Sequence, residues 1–438
     1  MTKTVTRKMK TLYAYSLAAS LLSFLLFIPA SFAVQNSISF SPAVNLSNDA
    51  NNARFPMVAN SGSNVYVVWT EQSHGIYLRY SSDGGISWNP LLTQSAMRLS
   101  LKGGTASYPV ITANGTNVYV AWAQTVNTIS QIYFSISTDS GGHFSKPVIL
   151  DLNSTLAALT PVLASWGSNV YLAWAAGSRS FERTSNDGGV TWSTVNPLGS
   201  SHEPQLAAYG SYAYFISDGI SYWYSSDNGG TWHKVNLKIG HASEPWIAAS
   251  GPNVYVTWEQ KKTNKTAPIY GEISNDYGVT FTSPKVLSGT VINDWEPQLI
   301  ASGNNVYLAF RSLSPQSAWI TSSSTAGATW NAPVRLSMTN HPTGWPLDVA
   351  VSGNNVFTIF GSANSNGGTV WNAYASYSAD GGTTWTSPPG MDLSGNSVGV
   401  AASASDIASA SIMANGASGY AAWESSQTGI NQIWFAGS

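Results

Sequence analysis

The stretch SSDGGISW at 81–88 follows the frame S-x-D-x-G-x-x-[WF], and this frame returns six more times along the chain. The further copies lie at 137–144, 185–192, 225–232, 274–281, 323–330 and 378–385, with Thr325 in the place of Asp in the copy at 323–330. Regular self-similarity is typical of repeat architectures, so we expect an array of similar structural units.

A second frame, P-x-[VIL]-x-x-x-G-x-N-V-Y-[VL]-x-W, precedes each of these copies. Clear copies cover 56–69, 109–122, 161–174, 245–258 and 297–310, looser ones cover 204–217 and 346–360, and an eighth copy without the first frame covers 412–423. The alternation in N-V-Y-V-x-W predicts a strand. Together with a strand after the proline and strands before and after the Asp-containing turn, it predicts four strands in each repeat. Such a unit is typical of a β-propeller blade.

The repeats therefore predict an all-β fold, a β-propeller of eight four-stranded blades. Seven blades is the alternative, because the segment 390–409 is irregular. The eighth repeat stops after its third strand, whereas 41–47 reads as a fourth strand without a repeat of its own. We expect this N-terminal strand to complete the last blade and close the ring, which would leave no wide sheet edge exposed.

We call the S-x-D-x-G-x-x-[WF] turn the Asp box and expect it to be structural. An Asp in a tight turn accepts hydrogen bonds from nearby backbone N–H groups, glycine permits positive φ, and the aromatic residue anchors the hairpin. The structural carboxylates are Asp83, Asp139, Asp187, Asp227, Asp276 and Asp380. Each box has a single carboxylate and no His, Cys or acidic cluster has metal-ligand spacing, so we expect neither a metal nor a cofactor.

Composition and the N-terminal sequence indicate where the protein acts and which partners it has. Only 9 % of the residues are charged, the net charge is −2 and there is no cysteine. No basic run like those of nucleic-acid binders is present, so we do not expect a nucleic-acid partner. A basic stretch at 7–10 precedes an apolar run at 12–28, and 31–33 suits signal peptidase. We predict a signal peptide over 1–33 and a secreted, monomeric propeller over 34–438 with no membrane span after cleavage, an uncleaved anchor being the alternative.

Counting strand directions places two sets of residues on the face opposite the Asp boxes. One set precedes the prolines and the other follows the second strands: Arg54, Tyr108, Glu203, Glu244, Glu296 and Trp345 in the first, and Glu71 and Arg311 in the second. Carboxylates, guanidinium groups and aromatic rings in a charge-poor chain suit a polar ligand with an acidic group and an apolar face. The alternative is that Glu203, Glu244 and Glu296 occupy the same repeat position only because the repeats have a common origin.

Through its Asp boxes the chain resembles the sialidase superfamily, also called the BNR or Asp-box repeat family, across nearly all of 34–438. The resemblance implies a propeller that, in the enzymes of the family, removes terminal sialic acid from glycans. It also implies that Arg54, in an Arg-x-Pro motif, binds the sugar carboxylate and that Glu71 is the acid/base. Glu296 would polarise the nucleophile, and Arg311 would be a second clamp on the carboxylate.

The chain also departs from that family. The family nucleophile is a tyrosine, whereas the similar position here holds Trp345, which cannot attack. The family enzymes are typically six-bladed. Three functions follow as hypotheses: a secreted glycoside hydrolase of exo-α-sialidase type acting on extracellular glycans, a non-catalytic propeller that binds glycans or surface glycoproteins, and a structural component of a cell envelope.

Overall fold

The structure is a computed structural model. It describes residues 38–438 except 127, 152–155, 200–202, 220, 238, 240–241, 261–266, 292–293, 340, 364–370, 387–390, 395–408 and 427. The predicted signal peptide lies outside the described residues, as does most of the irregular segment 390–409. In the described ranges no helix has the length and apolarity that crossing a bilayer requires. The described strands form eight four-stranded antiparallel sheets, which are the blades I to VIII.

Each blade runs from an innermost strand outward. Blade I contains β2 (Ala53–Ser61), β3 (Asn64–Glu71), β4 (Gly75–Ser81) and β5 (Met97–Arg98). Blade II contains β6 (Thr105–Asn114), β7 (Asn117–Val126), β8 (Ile129–Ser137) and β9 (Val148–Ile149). Blade III contains β10 (Ala158–Trp166), β11 (Asn169–Ala176), β12 (Arg179–Ser185) and β13 (Asn196–Gly199). Blade IV contains β14 (Gln205–Tyr209), β15 (Tyr212–Ser217), β16 (Ser221–Ser225) and β17 (His233–Val235).

The remaining blades repeat this order. Blade V contains β18 (Ala242–Ser250), β19 (Asn253–Gln260), β20 (Ile269–Ser274) and β21 (Lys285–Val286). Blade VI contains β22 (Asp294–Ser302), β23 (Asn305–Leu313), β24 (Gln316–Ser323) and β25 (Val334–Arg335). Blade VII contains β26 (Thr343–Ser352), β27 (Asn355–Ala363), β28 (Trp371–Ser378) and β29 (Met391–Asp392). Blade VIII contains β30 (Ala410–Asn415), β31 (Ser418–Ser425), β32 (Gln432–Gly437) and, as its outermost strand, β1 (Val44–Asn45).

The core lies between blades. The second strand of each blade is central in its sheet and is covered on both faces by neighbouring blades, which explains its nearly continuous apolar sequence. Trp69, Trp122 and Trp174 are fully buried there. Tyr66 and Val68 of blade I, for example, share one apolar cluster with Trp122 of blade II. Burial of large aromatic side chains between all the blades stabilises the ring without disulfide bonds.

The innermost strands contact one another in chain order, and β30 of blade VIII contacts β2 of blade I, so the ring is closed. The strand β1 completes blade VIII by pairing with β32, where Val44 lies opposite Phe435 and Asn45 opposite Trp434. The prediction of an eight-bladed propeller closed by the N-terminal strand is confirmed, and the seven-bladed alternative is wrong.

The Asp boxes share a face with the turns between first and second strands. In blade I the Gly84 N–H donates to the Ser63 carbonyl at 2.9 Å, and in blade III the Gly188 N–H donates to the Ser168 carbonyl at 2.8 Å. Because each innermost strand starts at the other end of its blade, the residues before the prolines lie on the opposite face.

Hydrogen bonds within each box occupy its carboxylate. Asp83 accepts from the Ser81 hydroxyl at 2.7 Å and from the N–H and hydroxyl of Ser87 at 2.8 and 2.5 Å. The bonds from Ser87 lower the pKa of Asp83 to about 2. Comparable bonds reach Asp139, Asp187, Asp227, Asp276 and Asp380. In blade VI the Thr325 hydroxyl takes the same place, accepting from the Thr329 N–H at 3.0 Å. Carboxylates held in this way stabilise the turns.

Candidate functional site

A β-bulge at the proline shapes the start of each long innermost strand. In blade VI the pairing with β23 skips from Trp295 to Gln298. The residue directly before the proline has a left-handed φ between 48° and 56° in six blades: Phe55, Tyr108, Thr160, Glu203, Glu244 and Glu296. This conformation costs a non-glycine residue roughly 1–2 kcal/mol, and bulges of this kind redirect a side chain out of the sheet pattern. Four of the six residues line a single cavity.

That cavity has a volume of about 450 Å³ and lies where the innermost strands converge. Its lining comprises Phe55, Met57, Glu203, Gln205, Glu244, Pro245, Trp246, Glu296, Pro297, Gln298, Leu347, Asp348, Ser409 and Ala410. Blades IV, V and VI supply the three glutamates on one side. Phe55 and Met57 of blade I and Leu347 of blade VII supply an apolar side. The axial cavity therefore has an acidic wall and an apolar wall.

Glu244 is half-buried in the acidic wall. Its backbone N–H donates to the Asp218 carboxylate at 3.1 Å, which fixes the bulge against the end of β15. Burial raises the pKa of Glu244 to about 7, and the negative charges of Glu203, Asp218, Glu296 and Glu259 contribute to the same shift. Glu244 can therefore hold a proton at neutral pH.

Glu296 lies beside Arg311, with Nη2 of the arginine 3.4 Å from Oε1 of the glutamate. Cross-strand pairing of Trp295 with Arg311 brings the two side chains together. Burial raises the pKa of Glu296 to about 7 although the Arg311 charge lowers it, and Glu259 adds to the increase. Of the residues expected at the site, these two form a direct pair.

Arg54 has a different partner. Its Nε donates to Oε1 of Glu424 at 3.0 Å, and its guanidinium lies 5.5 Å from the centre of the Phe55 ring. Glu424 also accepts from Ser409 at 3.0 Å and from Asn431 at 2.7 Å. The ion pair joins blade I to blade VIII, and Arg54 is not among the residues that line the cavity.

Glu71 also lies outside the cavity lining. It is 2 % exposed and accepts hydrogen bonds from Asn51 at 3.2 Å and from the Trp69 indole at 3.4 Å. Burial, followed by the neighbouring Asp49, raises the pKa of Glu71 to about 7. The described residues therefore do not bring Glu71 together with Glu296 and Arg311 at one cavity.

Two aromatic residues expected at the site have different outcomes. Tyr108 is exposed and packs against Phe55, with ring centres 5.4 Å apart, so it extends the apolar wall beyond the cavity. Trp345 is part of β26, but its side chain lies outside the described residues.

Asp348 lines the cavity and was missed by the sequence reasoning. It accepts hydrogen bonds from the N–H groups of Ile412 at 3.0 Å and Val349 at 2.8 Å. Burial raises its pKa to about 6. The available signal was the spacing of the second frame, because the turn glycine follows the proline by seven residues at 346–353 and by six in the other copies. Strand pairing therefore leaves Val349 at the Val, Ile or Leu position and places Asp348 opposite Ile359, at the position that Met57 has in blade I.

In the described ranges no three His, Cys, Asp or Glu side chains are arranged to hold a metal ion. The cavity carboxylates can accept hydrogen bonds and transfer protons.

Eight four-stranded blades around an axial cavity define the class of the protein, which is a β-propeller with an Asp box in seven of its blades. No protein-family model and no curated protein matches the chain. Similar solved structures include YCF48 bound to D1 peptide, at 12 % identity and a TM-score of 0.46, with 91 % of this chain and 95 % of that chain covered.

Two enzymes are also among the similar structures. The GH93 α-L-arabinofuranosidase of Fusarium graminearum with arabinobiose is 12 % identical with a TM-score of 0.45, covering 73 % of this chain and 92 % of that one. A mutant Trypanosoma rangeli sialidase displaying trans-sialidase activity is 13 % identical with a TM-score of 0.40, covering 77 % and 59 %.

Proposed function

We propose that the protein is a secreted glycoside hydrolase that binds a sugar of an extracellular glycan or surface glycoprotein in the axial cavity. Secretion is proposed from the signal-peptide pattern at 1–33, and a monomeric state is proposed with it. The proposal is carried by one observation: Glu244 and Glu296, from adjacent blades, line the same cavity and both have pKa values near 7, raised mainly by burial.

Glycoside hydrolysis generally uses two carboxyl groups, one protonated and one ionised. Neighbouring carboxylates favour the protonated form of Glu244, whereas the Arg311 guanidinium favours the ionised form of Glu296. We therefore assign Glu244 as the general acid that protonates the departing glycosidic oxygen. Glu296 is the carboxylate that activates water or attacks the sugar carbon.

The walls of the cavity suit a sugar without an acid group. Carboxylates accept hydrogen bonds from sugar hydroxyl groups, and apolar side chains such as Phe55 and Leu347 contact the C–H face of a ring. The three glutamates would repel a substrate carboxylate, and the Arg311 guanidinium is already beside Glu296. We infer a neutral sugar or an amino sugar as the substrate rather than sialic acid.

A binding function without catalysis is the second candidate. It is supported by the shared repeat position of Glu203, Glu244 and Glu296, which duplication of one blade would also produce. In that case the same cavity would hold a glycan or glycoprotein without cleaving it.

Turnover of 4-methylumbelliferyl glycosides tests the proposal. The panel contains neutral hexosides, pentosides, an amino-sugar glycoside and a sialoside. We expect turnover of a neutral or amino-sugar substrate, reduced at least about 100-fold in Glu296→Gln and nearly unchanged in Glu71→Gln. Glu244→Gln should lose as much only on the corresponding oligosaccharide, because 4-methylumbelliferone departs readily without a general acid. Turnover of the sialoside that is lost in Glu71→Gln would instead support sialidase-type roles. Saturable binding without turnover, lost in the two cavity variants, would support the second candidate.

A further inference from the structure

Four aromatic residues lie together on the Asp-box face, opposite the axial cavity. Trp166 and Tyr209 end the innermost strands of blades III and IV, and their ring centres are 4.3 Å apart. Tyr212 starts the next strand opposite Tyr209 and stacks on Tyr277 of the blade V Asp box, also at 4.3 Å. We call Trp166, Tyr209, Tyr212 and Tyr277 the aromatic patch.

The other blades provide an internal comparison for each position. The residue before the turn glycine is Trp166 in blade III and Tyr209 in blade IV, but elsewhere it is Ser61, Asn114, Ser250, Ser302, Ser352 or Asn415. The position of Tyr212 is otherwise Asn or Ser, and the position of Tyr277 is otherwise Gly, Ser, Asn or Ala. Four departures from the repeat are therefore all aromatic and all meet in one place, which common repeat origin does not produce.

The usual residue before the turn glycine joins neighbouring blades. Ser250 accepts a hydrogen bond from the Gly303 N–H at 2.8 Å, and Ser352 accepts one from the Gly416 N–H at 2.8 Å. Blades III and IV replace this bond with the contact between Trp166 and Tyr209. A purely structural contact would bury the indole, yet Trp166 remains 43 % exposed. Its ring is thus available to a ligand.

The surroundings of the patch indicate the chemistry of that ligand. The Asn169 side chain donates to the Asn228 side chain at 2.8 Å beside the patch, which places amide groups next to the rings. Asp227 and Asp276 directly precede Asn228 and Tyr277 in the chain. A hydrogen bond from the Thr231 hydroxyl is the main cause that lowers the pKa of Asp227 to about 2, so this carboxylate is charged at neutral pH. Anionic ligands are therefore disfavoured.

We propose that the aromatic patch is a second binding site, which takes neutral polysaccharide chains. Aromatic faces contact the C–H faces of sugar rings, and the adjacent amides supply hydrogen bonds to hydroxyl groups. The site is separate from the axial cavity and does not depend on the function proposed there. It would hold the propeller on a polymer while the opposite face stays open.

Affinity electrophoresis tests the site with defined probes. The full chain without 1–33 is run in gels containing a neutral polymer (hydroxyethyl cellulose, xyloglucan, galactomannan or laminarin) or an acidic one (alginate or polygalacturonate). The variants carry residues that other blades have at the same positions: Trp166→Ser with Tyr209→Ser, and Tyr212→Asn with Tyr277→Gly. Ile86→Ser is the matched control, because Ile86 is an exposed apolar residue of the blade I Asp box.

We expect at least one neutral polymer to retard the protein and neither acidic polymer to do so. Each double variant should weaken the apparent affinity at least tenfold, while Ile86→Ser and the cavity variant Glu244→Gln with Glu296→Gln should be retarded as before. Absence of retardation by all four neutral polymers would overturn the proposal. So would loss of retardation only in the cavity variant, or a change from dimer to monomer in the patch variants by light scattering.

Discussion

The Phe40 ring packs edge-on against the Phe357 ring, with centres 6.5 Å apart and planes at 90°. Edge-on pairs also link Asp-box aromatics to the preceding blade, as between Trp88 and Phe435 at 4.7 Å. Blade VIII has no Asp box, so the segment before β1 supplies the aromatic contact on blade VII. The N-terminal segment therefore closes the ring twice, once by strand pairing and once by this contact.

Replacing Phe40 by Ala should lower the free energy of unfolding by about 1–2 kcal/mol, because the half-buried ring loses its apolar contacts. Urea unfolding monitored by circular dichroism measures the change. Ser39→Ala, an exposed neighbour in the same segment, is the control and should have no effect. Equal stability of Phe40→Ala and the control would show that the contact does not matter for closure.

Thr160 combines two unfavourable features at the mouth of the bulge. It has a φ of 48°, which is unusual for a β-branched residue, and its buried hydroxyl has no hydrogen-bond partner among the described residues. Thr160→Gly should raise stability by about 1 kcal/mol, since relief of strain and of the unpaired hydroxyl outweighs the entropy cost of glycine. The contrasting change Thr112→Gly, in the regular part of β6, should destabilise. A lower free energy of unfolding in Thr160→Gly would show that the left-handed backbone of Thr160 is not strained.

Stability should be highest in mildly acidic solution. Burial raises the pKa values of Glu71, Glu182, Glu244, Asp294 and Glu296 to about 7, above ordinary values of 4.5 for Glu and 3.8 for Asp. Stabilisation from these protonated groups is complete below the ordinary values and is lost as the pH rises through 7. Asp83 and Asp187, with pKa values lowered to about 2 by hydrogen bonds, contribute stability above pH 3.8 that is lost toward pH 2.

The melting temperature should therefore peak near pH 4–5 and fall by about 5 °C or more between pH 5 and 8. Differential scanning fluorimetry across this range measures the profile. Glu182→Gln removes one of the buried carboxyls and should flatten the decline. A melting temperature that rises from pH 5 to 8 would contradict the assignment of these groups as protonated.

Activity should depend on pH through the same cavity carboxyls. A general acid with a pKa near 7 loses its proton above that pH, so kcat/KM should decline on the alkaline side of about pH 7. Glu244→Gln should remove that limb, and its residual activity should be restricted to substrates with good leaving groups. An alkaline limb that persists unchanged in Glu244→Gln would assign the acid to another residue.

The sequence predicted the blades well because each strand and turn depends on local residues that repeat. Strand direction alone predicts that the residues before the prolines share one face, and Glu244 and Glu296 line the cavity there. The partners of Arg54 could not be predicted, because its pairing with Glu424 joins the two ends of the chain across the closure. The left-handed φ at these positions could not be predicted either, because it arises from the β-bulge in the folded sheet.

The aromatic patch shows a different limit. Trp166, Tyr209 and Tyr277 each break the repeat visibly, but the sequence alone does not show that they lie together. Their proximity depends on how turns of adjacent blades meet on one face. Departures from an internal repeat are therefore as informative as the repeat once the fold is known.

The most direct test of the axial site is a crystal structure of Glu244→Gln soaked with the oligosaccharide that the wild-type protein cleaves or binds best. We predict density for a sugar between Glu296 and the apolar wall at Phe55 and Leu347, with its glycosidic oxygen within hydrogen-bonding distance of the side chain at 244. A sugar bound beside Glu71, with the axial cavity filled only by water, would contradict the account.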